Sequence, residues 1–378
     1  MSGEFQLVRI RLRPATPLLM GGAEPLKFEL RTTAIKGLMR FWFRCAAFPY
    51  VKNEQELYRR ESEVFGGFVE EKGEVRSIPS PFDLLISDKK ASLEVDSSWC
   101  YFAFPYRKKE KKEGIKEDFT LAIRGEREKL LLPLASLWLL LSLGGAGARW
   151  RRGFGSLEVL EVKPEFPEIP SFENPIERLP EGIERIRRIF KERIGGEKER
   201  SSPPSFPVLH PDYCSIYHVP LKGRGEKEVL KKELGGKMAE FRKSLTPSLN
   251  DILLNKNPSS KWSERISFGL PLQYYRKEGV KEIKCSLNLG FERGGEVEEG
   301  RLPSPLVLKL KREGGRFHLI ATIFKLSMLS EARLLIKGER RERENMSSIM
   351  SLINFKKLED FVKGLGGRKI WPQTGEGR

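Results

Sequence analysis

Gly144-Gly145-Ala146-Gly147-Ala148-Arg149-Trp150-Arg151-Arg152-Gly153-Phe154-Gly155-Ser156 joins an apolar run, Leu130 to Leu143, to a short β-forming run, Leu157 to Val162. The apolar run is too short for a comfortable membrane span and reads as a buried helix. Upstream, Phe5 to Arg13 alternates, with Val8, Ile10 and Leu12 on one face and Arg9, Arg11 and Arg13 on the other. That period of two marks a half-buried strand with a basic open face. Pro14, Pro17 and Gly21-Gly22 end it, and a helix is expected from about Ala34 to Ala47 with Thr33 as N-cap. Its apolar residues Ile35, Leu38, Met39, Trp42 and Cys45 recur at helical spacing. Strand-like runs at Pro81–Ile86 and Tyr101–Phe104 precede a charge-rich loop, Arg107 to Lys116, and the second helix. Strand–helix–strand–strand–helix–strand is the ferredoxin-like order, an α+β fold whose helices cover one sheet face and leave the other open.

From Lys163 to Ser205 the chain is Pro- and charge-rich around one helical stretch, Ile183–Ile194. Beyond it, Val208–Val219, Glu226–Ser244, Leu306–Leu310, Phe317–Phe324 and Met350–Val362 offer strand, helix, two strands and a helix. The last helix runs into Gly364-Leu365-Gly366-Gly367-Arg368-Lys369, an echo of Leu143-Gly144-Gly145 compatible with a duplicated domain. The expected organisation is a first domain over 1–162, a connector with a helical insert over 163–205, and a second domain over 206–378. A length of 378 residues agrees with two domains.

A hydrophobic fraction of 39% supports real cores, and a charged fraction of 32% leaves a heavily ionised surface. The net charge of +17 points to a polyanionic partner, of which nucleic acid is the commonest. Cys45, Cys100, Cys214 and Cys285 lie far apart, with no CxxC pair and no His at zinc spacing. Reduced thiols in a cytoplasmic protein fit this pattern, as does the want of a signal-peptide h-region near Met1.

Two segments concentrate the charge. Lys36, Arg40 and Arg44 lie four residues apart on one helix face, and no acid occurs between Leu30 and Asn53. A solvated face usually mixes signs, so a cluster that repels itself favours a polyanion as partner. In the glycine segment, Gly144, Gly145 and Gly147 allow close backbone approach to a phosphate. Arg149, Arg151 and Arg152 add forked donors, and Trp150 or Phe154 offers a ring for an unpaired base. A helix C-cap and turn would need two glycines, where this segment has five. It lacks the GK[ST] ending of a P-loop and follows a helix rather than a strand, so polymeric rather than nucleotide phosphates are expected. His210, His218 and His318 sit in no acid–base or metal pattern; no catalytic residue, metal or cofactor is assigned.

These residues also carry a resemblance. Thr16-Pro17-Leu18-Leu19-Met20-Gly21-Gly22, the Thr33–Arg44 helix and Glu61-Ser62-Glu63-Val64-Phe65-Gly66 resemble the N-terminal signature of the largest RAMP subunit of the Cmr complex. That complex is the type III-B CRISPR RNA-guided effector of antiviral defence. Gly144–Ser156 resembles the RAMP glycine-rich loop, and Arg301-Leu302-Pro303-Ser304-Pro305-Leu306 is similar to the family's Arg-x-x-Ser-Pro-Leu stretch. The resemblance implies two tandem ferredoxin-like (RRM-like, RAMP) domains and assembly with other Cmr subunits. It further implies contact with single-stranded RNA, target or CRISPR RNA, and no catalytic role. Basic-helix positions carry over as Lys36, Arg40 and Arg44, and loop arginines as Arg149, Arg151 and Arg152. The alternative is a RAMP-type, metal-independent endoribonuclease processing CRISPR precursor RNA. The helix and the loop are expected to line one groove.

Overall fold

The computed structural model describes residues 4–71, 73–106, 108–200, 204–245, 263–270, 272–278, 281–293, 296–327, 332–337, 341–345 and 354–373. The first unit runs β1 (Phe5–Pro14), α1 (Thr32–Ala47), α2 (Glu54–Phe65) and a hairpin of β2 (Gly67–Glu71) with β3 (Glu74–Ile78). It continues through β4 (Phe82–Ile86), the small pair β5 (Leu93–Val95) and β6 (Lys112–Gly114), β7 (Phe119–Glu126), α3 (Arg127–Leu143) and β8 (Leu157–Lys163). Its main sheet has the order β4-β7-β1-β8, antiparallel throughout. The third strand of the ferredoxin-like order is thus β7, not Tyr101–Phe104. The latter is a 3-10 turn at Tyr101–Ala103. In β7 Phe119, Leu121 and Ile123 alternate inward, a period hidden in the sequence by charged ends.

After α4 (Leu179–Ile194), the second unit repeats the topology. It comprises β9 (Cys214–Pro220), a helix built of α5 (Glu226–Glu228), a π-helical Val229–Gly236 and α6 (Lys237–Lys243), then β13 (Leu306–Glu313), β14 (Arg316–Phe324), α7 (Lys356–Gly364) and β17 (Arg368–Trp371). The sheet order β13-β14-β9-β17 is the order of the first sheet. The glycines after α7 therefore stand where Gly144 and Gly145 stand after α3. Two insertions not foreseen from the sequence bring β10 (Leu272–Glu278), β11 (Lys281–Arg293), β12 (Glu296–Gly300), β15 (Ala332–Lys337) and β16 (Arg341–Asn345) into a further sheet. The expected last helix begins at Lys356 rather than Met350; residues 350–353 lie outside the described residues.

The main core is continuous across both units. Helix α3 is apolar on all sides, as a helix buried all round must be. Ile10 and Leu12 of β1, Trp42 of α1, Ile183 and Phe190 of α4, and Val307, Ile320 and Phe324 of the second sheet join it in one buried cluster. Gly182 lets α4 approach closely, since a Cβ there would lie 2.6 Å from the Trp138 ring. Among the described residues no helix is long and apolar enough to cross a membrane. Cys45, Cys100 and Cys214 are buried free thiols.

The edges of the two main sheets meet at β8 and β13, joined mostly through side chains. Ser156 Oγ accepts from the Leu310 amide (3.0 Å), and Glu158 accepts from the Arg312 amide (2.9 Å). The Lys309 ammonium, 2% exposed, donates to the Leu157 carbonyl at 2.6 Å. Burial pushes Lys309 from an ordinary 10.5 down to about 7. A lowered folded-state value means that the unfolded chain binds the extra proton between those limits, so stability rises with pH across that window. The cost of charging the amine is fully present below pH about 7. Urea unfolding followed across this range should show wild type gaining stability relative to Lys309→Met as pH rises. Parallel curves for the two proteins would rule out the neutral buried amine.

Candidate nucleic-acid interface

The glycine segment is threaded against the chain that leaves β1. Thr16, fully buried, donates to the Gly153 carbonyl at 2.6 Å and accepts from the Ser156 amide at 3.1 Å. The Gly155 amide donates to Pro17 and the Ala148 amide to Leu19. Here the glycines answer to close packing. A Cβ on Gly144 would lie 2.7 Å from Trp42 Nε1, one on Gly145 would lie 2.9 Å from the Gly155 carbonyl, and one on Gly147 would lie 2.6 Å from the Leu19 carbonyl. Gly147 and Gly155 also take positive φ, 77° and 60°.

The three loop arginines point into protein. Arg149, itself at φ 63°, donates to the Phe102 carbonyl at 2.7 Å. Arg151 donates to the Ser304 carbonyl at 2.8 Å and lies over the Phe41 and Trp150 rings, 5.0 Å from each centroid. Arg152 donates to the Phe268 carbonyl at 2.9 Å. Burial lowers all three guanidinium pKa values, that of Arg152 to about 9, with Arg242 and Arg149 adding repulsion. They stay charged at neutral pH, as guanidinium groups do. Phe154 is fully buried in the second core cluster, which removes it as a stacking ring. Trp150 is half-buried and meets Phe41 edge to face at 5.6 Å.

Helix α1 meets the loop, but not with its basic face. Ala34, Leu38 and Phe41 face the loop, whereas Lys36, Arg40 and Arg44 turn toward α2 and β4. Lys36 donates to Ser80 at 2.7 Å and lies 4.8 Å from the Phe82 centroid. Glu61 accepts from Arg40 at 2.9 Å and from Arg44 with both oxygens, at 3.0 and 2.9 Å. The acid missing from the helix's own neighbourhood in sequence is thus supplied by α2. The single groove expected for basic face and loop is replaced by two flanks of α1, separated by the exposed ridge of Thr33 and Gly37.

On the loop side lies a cavity of ≈ 380 Å³, walled by Leu19 to Gly22, Ala34, Leu38, Gly147, Ala148 and Trp150. No carboxylate lines it, and its cation is Lys112. Lys112 is 2% exposed and donates to the carbonyls of Met20 and Lys27, at 3.2 and 2.9 Å. Burial lowers its pKa. An ammonium has three donors, and these carbonyls use two. The α1 N-terminus has no side-chain cap and no acid in its first turn, leaving its partial positive charge uncompensated. Sequence reading missed Lys112, which fell in the expected charge-rich loop Arg107 to Lys116 and instead opens β6; its one signal was the apolar Ile115 nearby.

The RAMP superfamily profile matches residues 11–158, from β1 into β8. The CRISPR system Cmr subunit Cmr1-1 of Pyrococcus furiosus is 28% identical over 297 residues, 74% of this chain and 80% of the relative. Cmr1-2 of the same organism is 32% identical over 176 residues, 39% of this chain and 92% of the relative. The chain belongs to the RAMP superfamily, in its Cmr1 family. The crystal structure of apo Cmr1 from Pyrococcus furiosus superposes with a TM-score of 0.61 at 21% identity, covering 97% of this chain and 99% of that one. That likeness supports the tandem ferredoxin-like fold.

The family's signature stretches have visible work in this chain. Thr16 to Leu19 clasps the glycine loop, Glu61 pairs Arg40 and Arg44 of α1, and Ser304 receives Arg151. Replacing Arg151 or Arg152 by Ala should therefore lower the unfolding free energy by about 1.5–3 kcal/mol, the worth of a hydrogen bond to a charged group. Glu61→Gln, which leaves two arginines short of a carboxylate, should cost a similar amount, about 1–3 kcal/mol. Urea titrations check both; a Glu61→Gln protein as stable as wild type would show that the triad is incidental.

Proposed function

We propose that this Cmr1-family chain is a non-catalytic, RNA-binding subunit of a type III-B CRISPR effector complex, working in the cytoplasm with other Cmr subunits in antiviral defence. The observation that carries the reading is the carboxylate-free cavity beside the α1 N-terminus, where Lys112 and Trp150 stand among backbone from Gly21-Gly22 and Gly147-Ala148. An unpaired strand, target or CRISPR RNA, lays a phosphate there, its neighbours crossing α1 toward Lys36, Arg40 and Arg44. Arg40 and Arg44 keep 27% and 42% of their side chains exposed beside Glu61, so they supply field rather than full contacts. The loop contributes backbone and the Trp150 ring, because its arginines are engaged elsewhere. The Glu29 carboxylate rests against Gly22 of the lining and opposes an anion there.

Lys36→Ala should weaken single-stranded RNA regardless of sequence and flatten the salt dependence by a little under one in log–log slope. Glu29→Gln should tighten binding, and Trp150→Ala should cost single strands more than duplex. Anisotropy titrations over a salt series read all three. A wild-type salt slope retained in Lys36→Ala, with no gain in Glu29→Gln, would defeat the assignment.

One observation favours the endoribonuclease reading. His218 of β9 and His318 of β14 are hydrogen-bonded at 2.9 Å, a pairing not visible from their spacing of 100 residues. Burial, then His318, lower the His218 pKa. Incubating the protein with precursor RNA in EDTA separates the readings. No product is expected, and a discrete product lost in His318→Ala would establish the enzyme.

A further inference from the structure

Tyr101-Phe102-Ala103-Phe104 opens as a 3-10 turn, in which side chains three apart eclipse one another. Phe102 and Ala103 enter the second core, while Tyr101 and Phe104 are left 41% and 57% exposed. The turn is fixed from three sides. Arg149 holds the Phe102 carbonyl, and Arg242 of α6 donates to the Tyr101 hydroxyl at 2.9 Å. Gly235 packs so closely that a Cβ there would lie 3.3 Å from the Tyr101 Cβ and amide. Two aromatic rings are thus held outward on a clamped backbone, at little ordering cost to a ligand.

Cations outnumber acids nearby, the acids being Asp96, which faces Lys108, and the exposed Glu110. Lys108, Lys109 and Lys231 are exposed and form no ion pair among the described residues. The charged neighbour of both Arg149 and Arg152 in this region is Arg242, with Tyr101 facing them and no carboxylate among their principal partners. Protein–protein contact cores are depleted of charge, whereas single-strand binders set aromatic faces among cations.

We propose that Tyr101 and Phe104 form a stacking platform for unpaired bases, with Lys231 and the lysines after the turn holding the flanking phosphates. The platform rests on the RNA-binding reading above and deepens it: Arg149 becomes a positioning residue for the platform, and base stacking extends from the half-buried Trp150 ring to rings that are open.

The test uses the full chain and two ligands, a single-stranded RNA and an abasic ribose-phosphate oligomer of equal length. Phe104→Leu keeps apolar bulk without a π-face and should weaken RNA about 5-fold or more while leaving the abasic oligomer unchanged. Phe104→Trp should restore RNA affinity. If Phe104→Leu binds RNA as wild type does while Lys36→Ala is weakened, the platform is wrong and the phosphate reading stands. Equal losses on both ligands would also overturn stacking. Loss of assembly with other Cmr subunits at unchanged RNA affinity would make the rings a protein-docking patch and overturn the proposal. Wild-type protein that binds neither ligand would remove both readings.

Discussion

The structure depends on basic side chains buried against backbone carbonyls. Arg151 and Arg152 reach from the first unit to Ser304 and Phe268 of the second, and Lys309 reaches back to Leu157. Arg151 and Arg152 start from the loop that the glycines pack against Trp42 and Leu19. A charge removed from water is costly unless its donors are satisfied. Each of these guanidinium groups is engaged by a carbonyl whose position both units must share, while Arg152 Nη1 is buried without a partner. The seam therefore specifies relative orientation more than it stabilises, because misplacement by even an ångström leaves donors without acceptors.

The same arrangement shows why local charge was a poor guide to the site. Lys36, Arg40 and Arg44 have no acid within their stretch of sequence, yet Glu61 lies between two of them in space. Sign balance is a three-dimensional property, and part of a helix's charge can be offset by its neighbour in the chain's next element. In the glycine loop, three arginines in four positions looked like phosphate donors, but a loop crossing a domain junction needs such donors for its own carbonyls. Lys112 shows the converse. A lysine from a charge-rich stretch ended up nearly buried, in a cavity that no acid lines.

The fold was legible where periodicity was clean and where family signatures stood. Strand β1, helix α1, helix α3 and the β13–β14 pair follow directly from alternation or helical spacing. Strand β7 was lost because Tyr101–Phe104, aromatic and β-prone, offered a stronger local signal for the same topological slot. Tertiary context decided otherwise: Arg149 and Arg242 tie that segment down as a turn. The repeat of sheet order in the second unit was hinted at by one Gly-Gly junction, while the extra sheet inserted within it had no signal in a search for a compact repeat.

Helix α3 leaves a further mark on how this protein comes into being. Its apolar surface has no solvent-facing side, and part of its cover, Val307, Ile320 and Phe324, lies far along the chain. At about 5–20 residues per second, an interval of about 180 residues leaves that part of the surface uncovered on the ribosome for roughly 10–40 seconds. During synthesis the nascent first unit is a sticky intermediate rather than a finished domain. The two halves, alike in topology, are bound by history as well as by contact: the first cannot come to rest until the second has been made.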